Sequence, residues 1–267
     1  MTAHFFQSLL VAFIFIVVMM AMVFVISQKI HNAGIVDVAW SMGFFPVALI
    51  YSLINHGAIT RKIILVSLVA AWSLRLGGYL AWRAAQHHPE EDRRYQQLRE
   101  EWGVNAQHKM FWFFQFQGVL LVLLTIPFLL ICLNREPDLQ ITEWIGMSLW
   151  CVAMAGETIA DRQLAKFKSN PTRRGLVCQE GLWRYSRHPN YFFEWLIWGA
   201  YFIFALGSPW GWISFFAPLL MLFFLVKVTG IPMTEALAVK TKGEEYRAYQ
   251  QTTSAFVPWF RKTNSPS

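Results

Sequence analysis

One stretch joins a basic loop to an apolar run: Gly181-Leu-Trp-Arg-Tyr-Ser-Arg-His-Pro-Asn-Tyr-Phe-Phe-Glu194, followed by Trp195-Leu-Ile-Trp198. A change from basic to apolar sequence is typical of a segment where water meets a membrane. Asn190 and Glu194 are four residues apart and therefore share one helix face. Glu194 lies within apolar sequence, where an ionisable group is costly and indicates a functional site. An interfacial anchor is the alternative interpretation, but it does not explain the Asn190/Glu194 pair.

The composition is that of a membrane protein, because 55% of the 267 residues are hydrophobic and 15% are charged. We predict an all-α integral membrane protein, and one domain over residues 1–267, since no Pro/Ser/Gly-rich linker divides the chain. The three cysteines have neither metal-ligand spacing nor an even number, so we expect no metal site and no disulfide framework. In a membrane protein, a net charge of +7 first indicates which loops face the cytoplasm, so we expect no nucleic-acid partner.

Seven apolar runs are about long enough to cross a bilayer as helices, a length of about 20 residues. They are 5–27, 35–55, 63–83, 110–133, 142–160, 191–207 and 209–229. We therefore predict a bundle of about seven transmembrane helices. The last two runs are joined only by the turn Gly207-Ser-Pro-Trp-Gly211.

The basic residues between these runs predict the orientation of the bundle. If the N-terminus is outside, the outer loops hold only Arg61, Lys62 and Arg135. The inner side then holds nearly all other Lys and Arg residues, in Arg83–Lys109, Arg162–Arg187 and the sequence from Lys227 onward. Since positive loops stay in the cytoplasm, we predict an outside N-terminus and a cytosolic C-terminus, with a polar, helical inner loop over Arg83–Lys109.

This orientation places a set of polar residues in or beside the apolar runs in the cytoplasmic half of the bundle. They are Asp37, Arg75, Tyr79, Gln115, Gln117, Glu157, Asp161, Glu194 and Lys227. Ionisable groups within a bilayer face the interior of a bundle or a cavity, so we expect one cavity that opens to the cytosol.

The chemistry of these residues suits a phosphate-bearing cofactor. Carboxylates such as Asp161 and Glu194 accept hydrogen bonds from ribose hydroxyls, whereas Lys and Arg bind phosphate oxygens. The sequence has no Gly-x-Gly-x-x-Gly after a strand, which excludes a Rossmann domain. A nucleotide would therefore be held by the helical bundle itself.

The stretch from Gly181 to Glu194 resembles the C-terminal signature of the steroid 5α-reductase family, in its bacterial branch. Asp161-Arg-Gln-Leu-x-x-Phe-Lys168 and Phe256-Val-Pro-Trp259 match the same pattern. The resemblance covers most of residues 145–260. The N-terminal half matches more loosely, through Asp37–Trp40, Arg75–Arg83 and Asp92–Tyr95.

The resemblance implies a cofactor and its ligands. The C-terminal half of that family binds NADPH, so residues 134–267 are expected to bind NADPH and residues 1–133 to face the substrate. The family's cofactor-binding Asp, Asn and Glu fall on Asp161, Asn190 and Glu194, and its basic residue near the phosphates falls on Lys168. The residues that flank this site are Tyr185, Arg187, His188 and Tyr191. A bacterial inner-membrane protein with a cytosolic cofactor site is implied.

The family reduces the double bond of a 3-oxo-Δ4 steroid, with a Tyr on its third helix and a Glu on its second. Tyr79 is the candidate for the Tyr, whereas the second apolar run offers only Asp37, without the family's Gln-Glu pair. This departure leaves other enones, unsaturated lipids or quinone-like rings as possible substrates. An ion pair between Asp37 and Arg75 and a water-bonded Tyr79 hydroxyl are the structural alternatives.

Two other functions fit parts of the sequence. Arg187-His-Pro-x-Tyr191 followed by Glu194 also resembles the isoprenylcysteine carboxyl methyltransferase family, which binds S-adenosylmethionine. The Asp161 motif, Asn190 and the Phe-Val-Pro-Trp sequence favour the reductase. A non-enzymatic lipid-binding or transport protein would also suit an inner polar cavity, but we find no internal repeat or broken helix of the kind that transporters have.

Overall fold

Helices form most of the part of the chain that the structure describes. The computed structural model describes residues 2–87 and 90–262, and within these ranges it has helices and no strand. The predicted all-α class is confirmed for this part. The chain divides into two compact units, Met1–Gln140 with Gly207–Gly211, and Ile141–Leu206 with Trp212–Ser267.

The first unit contains the first six helices. They are α1 (Thr2–Lys29), α2 (Ile35–Ile54), α3 (Ile59–His87), α4 (Arg93–Trp102), α5 (Ala106–Leu124) and α6 (Ile126–Leu133). Long apolar stretches form α1, α2, α3 and α5. The chain turns at Thr125 between α5 and α6, where Pro127 at the second position of α6 cannot donate a backbone hydrogen bond.

The second unit contains the other helices. They are α7 (Ile141–Ser169), α8 (Pro189–Ala205), α9 (Phe216–Phe223), α10 (Ile231–Lys242) and α11 (Glu244–Thr252), with a π-helical turn at Phe224–Val228. Glycines bring α7 and α8 close together. A Cβ on Gly146 would lie 2.7 Å from the backbone nitrogen of Phe204, and one on Gly156 would lie 2.4 Å from the ring of Phe193. Small residues allow this close approach between helices in a membrane.

Five helical segments are long and apolar enough to cross a membrane: Thr2–Ile30, Ile35–Ile54, Ile59–Gln86, Arg93–Leu133 and Gly211–Lys242. These segments identify an integral membrane protein. The predicted runs 142–160 and 191–207 are also largely helical, in α7 and α8, but α8 has only 17 residues. The count of seven spans and the outside N-terminus stay predictions.

Part of the predicted polar loop forms α4. Asp92 caps this helix, because its carboxylate accepts a hydrogen bond from the backbone nitrogen of Arg94 at 3.0 Å. Glu91 accepts hydrogen bonds from the backbone nitrogen of Ala33 at 2.6 Å and from Nε of Arg99 at 3.0 Å. These contacts hold α4 against the turn between α1 and α2. Residues 88 and 89 of the predicted loop lie outside the described residues.

Candidate functional site

The loop that precedes α8 packs against α7 at Ala160 and Gln163. Gly181 has a φ of +57°, and a Cβ there would lie 2.3 Å from the side-chain amide of Gln163, so glycine is needed at this position. The backbone nitrogen of Leu182 donates to Oε1 of Gln163 at 2.9 Å. The indole of Trp183 donates to the backbone oxygen of Ala160 at 2.9 Å. Both contacts lie beside Asp161 in sequence, so the loop is fixed next to it.

The first turn of α8 meets Asp161. Pro189 is the first residue of α8, where its fixed φ suits the start of a helix. Nδ2 of Asn190 then donates to Oδ1 of Asp161 at 3.3 Å. Oδ1 of Asn190 is buried, and no described residue donates a hydrogen bond to it. Two predicted cofactor residues from different helices therefore lie in contact, with a buried acceptor that a ligand could satisfy.

Glu194 lies one turn further along α8 and is 9% exposed. Its Oε1 accepts a hydrogen bond from the indole of Trp198 at 3.0 Å. The hydroxyl of Tyr201 accepts another from the indole of Trp150 at 3.1 Å. Glu194, Trp198 and Tyr201 are spaced four and three residues apart, so one face of α8 carries a row of buried polar groups.

Arg187 joins the α8 loop to α10 and to the C-terminal end of α11. Its Nε donates to Oε1 of Glu235 at 2.6 Å, and its Nη1 donates to the backbone oxygens of Gln250 at 2.9 Å and Thr253 at 2.5 Å. The side chain is only 10% exposed. These contacts give Arg187 a structural role, and its place beside the cofactor stays a prediction.

Two more predicted flanking residues contact α10. Nε2 of His188 lies 3.3 Å from Oε1 of Glu235, and the His188 ring stacks on that of Tyr191 with centroids 5.3 Å apart. The hydroxyl of Tyr191 lies 3.2 Å from the hydroxyl of Thr234. The three flanking residues Arg187, His188 and Tyr191 therefore share one network around Glu235.

We expect Arg187→Lys to destabilise the second unit, because a lysine cannot reproduce the fork that binds one carboxylate and two carbonyls. Loss of hydrogen bonds to a buried charged group corresponds to about 1–3 kcal/mol. Thermal unfolding in detergent measures the change, and limited proteolysis after Gln250 should become faster. Arg184→Lys is the control, since Arg184 is exposed in the same loop. Equal stability of the two variants would contradict the structural role.

Tyr185, the remaining flanking residue, packs on the chain after α11. Its backbone oxygen accepts from the backbone nitrogen of Trp259 at 2.9 Å, and its ring contacts that of Phe260. Tyr249 on α11 donates its hydroxyl to the backbone oxygens of Trp183 and Ser186. Burial raises the pKa of Tyr249, so this hydroxyl stays a neutral donor.

Lys168 lies near the end of α7, where it lines a cavity of about 170 Å³ within the second unit. Asp161 and Lys168 are seven residues apart, which places them about 10 Å apart along the same face of α7. The structure therefore gives Lys168 a place next to a cavity, while Asp161 lies at the α8 contact.

The two predicted catalytic residues lie in the first unit. Tyr79 is half-buried on α3, and its ring lies 6.2 Å from that of Trp82. Asp37, in the first turn of α2, accepts hydrogen bonds from the hydroxyl of Tyr95 at 2.7 Å and from Nη2 of Arg94 at 2.8 Å. Both carboxylate oxygens of Asp37 therefore accept hydrogen bonds from residues of α4.

Two residues that shape the site, Gln163 and Glu235, were not predicted from the sequence. Gln163 lies two residues after Asp161, and its side chain contacts the loop at Gly181 and Leu182. The Glu235 carboxylate contacts Arg187, His188 and Gln250. Nε2 of Gln250 donates to Oε2 of Glu235 at 2.8 Å. The signal for Glu235 was its position as a carboxylate between apolar sequence and a basic segment, but no spacing linked it to Arg187.

Comparison with known proteins places the chain in a family. The family model described as "Protein of unknown function (DUF1295)" matches residues 23–253. The chain belongs to this family. An uncharacterized protein of Schizosaccharomyces pombe is 28% identical to this DUF1295 protein over 264 residues, which cover 87% of the chain and 74% of the yeast protein. No solved structure matches the chain.

The DUF1295 match extends over both units and includes every predicted site residue, from Asp37 to Glu194. It also includes Glu235 and most of the segment that Arg187 binds. The region of the chain that carries the candidate site is therefore the region that defines the family.

Proposed function

We propose that this protein is a membrane-embedded, NADPH-dependent reductase of a conjugated carbon–carbon double bond. The observation that carries the proposal is the contact between Asp161 and Asn190 at 3.3 Å, 29 residues apart in sequence. The resemblance assigns both residues to cofactor binding. The DUF1295 family includes steroid 5α-reductase-like proteins, which supports the same assignment.

The residues at this contact fit a nucleotide. Oδ1 of Asn190 is buried without a described donor, and a hydroxyl or amide of the cofactor would satisfy it. An ionised carboxylate has about four acceptor positions, so Asp161 can accept a ribose hydroxyl in addition to Asn190. Glu194 adds a second carboxylate one helical turn further along α8. NADPH, when bound, supplies the hydride.

Reduction of an enone needs a hydrogen-bond donor to the carbonyl oxygen, and we expect it among residues 1–133, which are predicted to face the substrate. Addition of a hydride to the β-carbon of an enone places negative charge on the carbonyl oxygen, which a positioned donor stabilises. We assign this role to the Tyr79 hydroxyl. Because Asp37 already accepts from Tyr95 and Arg94, we assign to it the positioning of α4. A solvent proton completes the α-carbon.

The membrane determines how the substrate and the cofactor would reach the site. An apolar substrate, a 3-oxo-Δ4 steroid or another enone lipid, would arrive from the bilayer, which the apolar helices contact. The excess of Lys and Arg in the predicted inner loops supports a cytosolic cofactor site with the N-terminus outside. The resemblance to the bacterial branch of the reductase family implies a bacterial inner membrane.

The test is NADPH oxidation by the purified protein in detergent against a panel of 3-oxo-Δ4 steroids and other enones. We expect oxidation that depends on an enone and is absent with the matching saturated ketones. Protection of the protein from thermal unfolding by NADPH or by S-adenosylmethionine distinguishes the reductase from the methyltransferase alternative. Protection by S-adenosylmethionine without protection by NADPH would reject the reductase.

A further inference from the structure

The chain after α11 exposes large apolar side chains next to two cations. Val257 is 50% exposed, Trp259 68% and Phe260 78%. Arg261 and Lys262 follow them, and both of these side chains are exposed. We call residues 256–262 the aromatic segment. Large apolar side chains that are exposed side by side indicate a surface that another molecule covers.

Hydrogen bonds fix the backbone of the aromatic segment against the loop before α8. The backbone nitrogen of Trp259 donates to the backbone oxygen of Tyr185 at 2.9 Å. The hydroxyl of Ser186 donates to the backbone oxygen of Phe256 at 2.8 Å. Because the backbone is already ordered, insertion of its exposed side chains into another phase costs little further conformational entropy.

The packing of Phe256 places the segment beside apolar helices. The centre of its ring lies 5.8 Å from those of Phe192 and Trp195, in the first two turns of α8. The indole of Trp195 donates to the backbone oxygen of Pro218 on α9 at 3.1 Å. Pro218 belongs to Gly211–Lys242, which is long and apolar enough to cross a membrane. The aromatic segment therefore lies next to a candidate spanning segment, where the sequence changes from basic to apolar.

Three cations lie in the segment or in the loop that it contacts. Arg184 is exposed in the loop before α8, and Arg261 and Lys262 end the segment. The guanidinium of Arg261 binds the neutral side chains of Gln179 and Thr252. Within the described part of the chain, none of the three cations forms an ion pair with a carboxylate. Basic residues next to a membrane surface attract anionic lipid headgroups.

We propose that the aromatic segment is an interfacial anchor for anionic lipid. Trp259 and Phe260 insert into the headgroup layer, and the three cations bind the phosphates of the lipid headgroups. A tryptophan suits this position because its ring is apolar while its indole nitrogen donates a hydrogen bond. In the predicted orientation this layer belongs to the cytosolic leaflet. The contact with α8 and the cations favour lipid over a protein partner.

A fluorescent label at position 260 measures the depth of the segment. Cys151→Ser removes the exposed thiol, and Cys132 and Cys178 are buried, so a bimane on Phe260→Cys is the accessible label. The full-length protein is reconstituted in nanodiscs, and quenching by nitroxide-labelled lipids is compared with quenching by aqueous iodide. Gln251→Cys is the matched control, because Gln251 is exposed at the end of α11.

We expect nitroxides at the headgroup and in the shallow acyl region to quench the label at position 260 several-fold more than the label at position 251. Iodide should show the reverse order. Equal quenching of the two labels by iodide, with none by nitroxide lipids, would place the segment in water and overturn the proposal. Protection of position 260 from both quenchers would also overturn it, because a second copy or another protein would then cover the segment.

The preference for anionic lipid tests the cations. Nitroxide-labelled phosphatidylglycerol should quench the label at position 260 more strongly than nitroxide-labelled phosphatidylcholine. A basic residue near an anionic membrane surface favours association by about fivefold, so Arg261→Gln and Lys262→Gln should each lower this preference about fivefold. Arg247→Gln is the control with the same change of charge, since Arg247 is 59% exposed on α11 and lies beside Glu244. Equal quenching by the two lipids without a charge variant would overturn the proposal.

The proposal goes beyond the proposed function and does not depend on it, because neither measurement uses NADPH or an enone. A protein that anchors through the aromatic segment but does not bind NADPH would reject the reductase alone. A protein that oxidises NADPH with an enone while position 260 stays in water would reject the anchor alone.

Discussion

Replacing Asp161 by alanine is expected to abolish NADPH binding while the protein still folds. The variant removes the carboxylate that meets Asn190 at the start of α8, and with it the acceptor for a ribose hydroxyl. The hydrogen bond between Asn190 and Asp161 is long, at 3.3 Å, so the loss of this contact should by itself reduce stability only slightly. Glu194→Ala should have the same effect on binding. Protection from thermal unfolding by NADPH measures affinity without requiring a substrate.

The control for Asp161→Ala is Glu244→Ala, which also removes one carboxylate from the second unit. The Glu244 side chain is 88% exposed and lies 3.5 Å from Arg247. This variant should bind NADPH like the native protein, since exposed ion pairs contribute little. If Asp161→Ala binds NADPH as tightly as Glu244→Ala does, the cofactor site has been assigned to the wrong residues.

Tyr79→Phe should retain NADPH binding and lose about 10²-fold or more in turnover, the usual scale for removing one oxyanion donor. The substitution deletes only a hydroxyl and keeps the ring beside Trp82. Because the loss lies in the transition state, kcat should fall while the dissociation constant of NADPH does not change. Single-turnover oxidation of NADPH with the best enone of the panel measures the effect.

Tyr51→Phe is the matched control for Tyr79→Phe. It removes a buried hydroxyl that lies 3.3 Å from the hydroxyl of Thr125, in the same unit. We expect a small loss of stability of about 1 kcal/mol and normal turnover. A Tyr79→Phe protein with turnover similar to that of Tyr51→Phe would assign the carbonyl contact to another residue.

The helical class could be predicted because bilayer-length apolar runs leave few alternatives, and each of the seven runs lies largely in helix. The break at Thr125 was not predicted, since Pro127 lies within a run that is apolar on both sides. The number of spans stays a prediction because length and composition single out five segments. α8 is too short, at 17 residues, to be one of them by length.

The candidate site was only partly visible in the sequence. Asn190 and Glu194 were predicted to share a face because a helix fixes that spacing. The meeting of Asn190 with Asp161 depends on the packing of α7 on α8 through Gly146 and Gly156, which no local pattern encodes. The partner of Asp37 was also missed, because Arg94 and Tyr95 reach it from a segment 57 and 58 residues away.

The contacts of Arg187 and Ser186 have a consequence for biosynthesis. Besides nearer contacts, both side chains donate hydrogen bonds to backbone oxygens 63 to 70 residues downstream, at Gln250, Thr253 and Phe256. Because the chain is synthesised from its N-terminus, the loop before α8 leaves the ribosome before this downstream segment does. The contacts of Arg187 and Ser186 with this segment can therefore form only after residue 256 has left the ribosome.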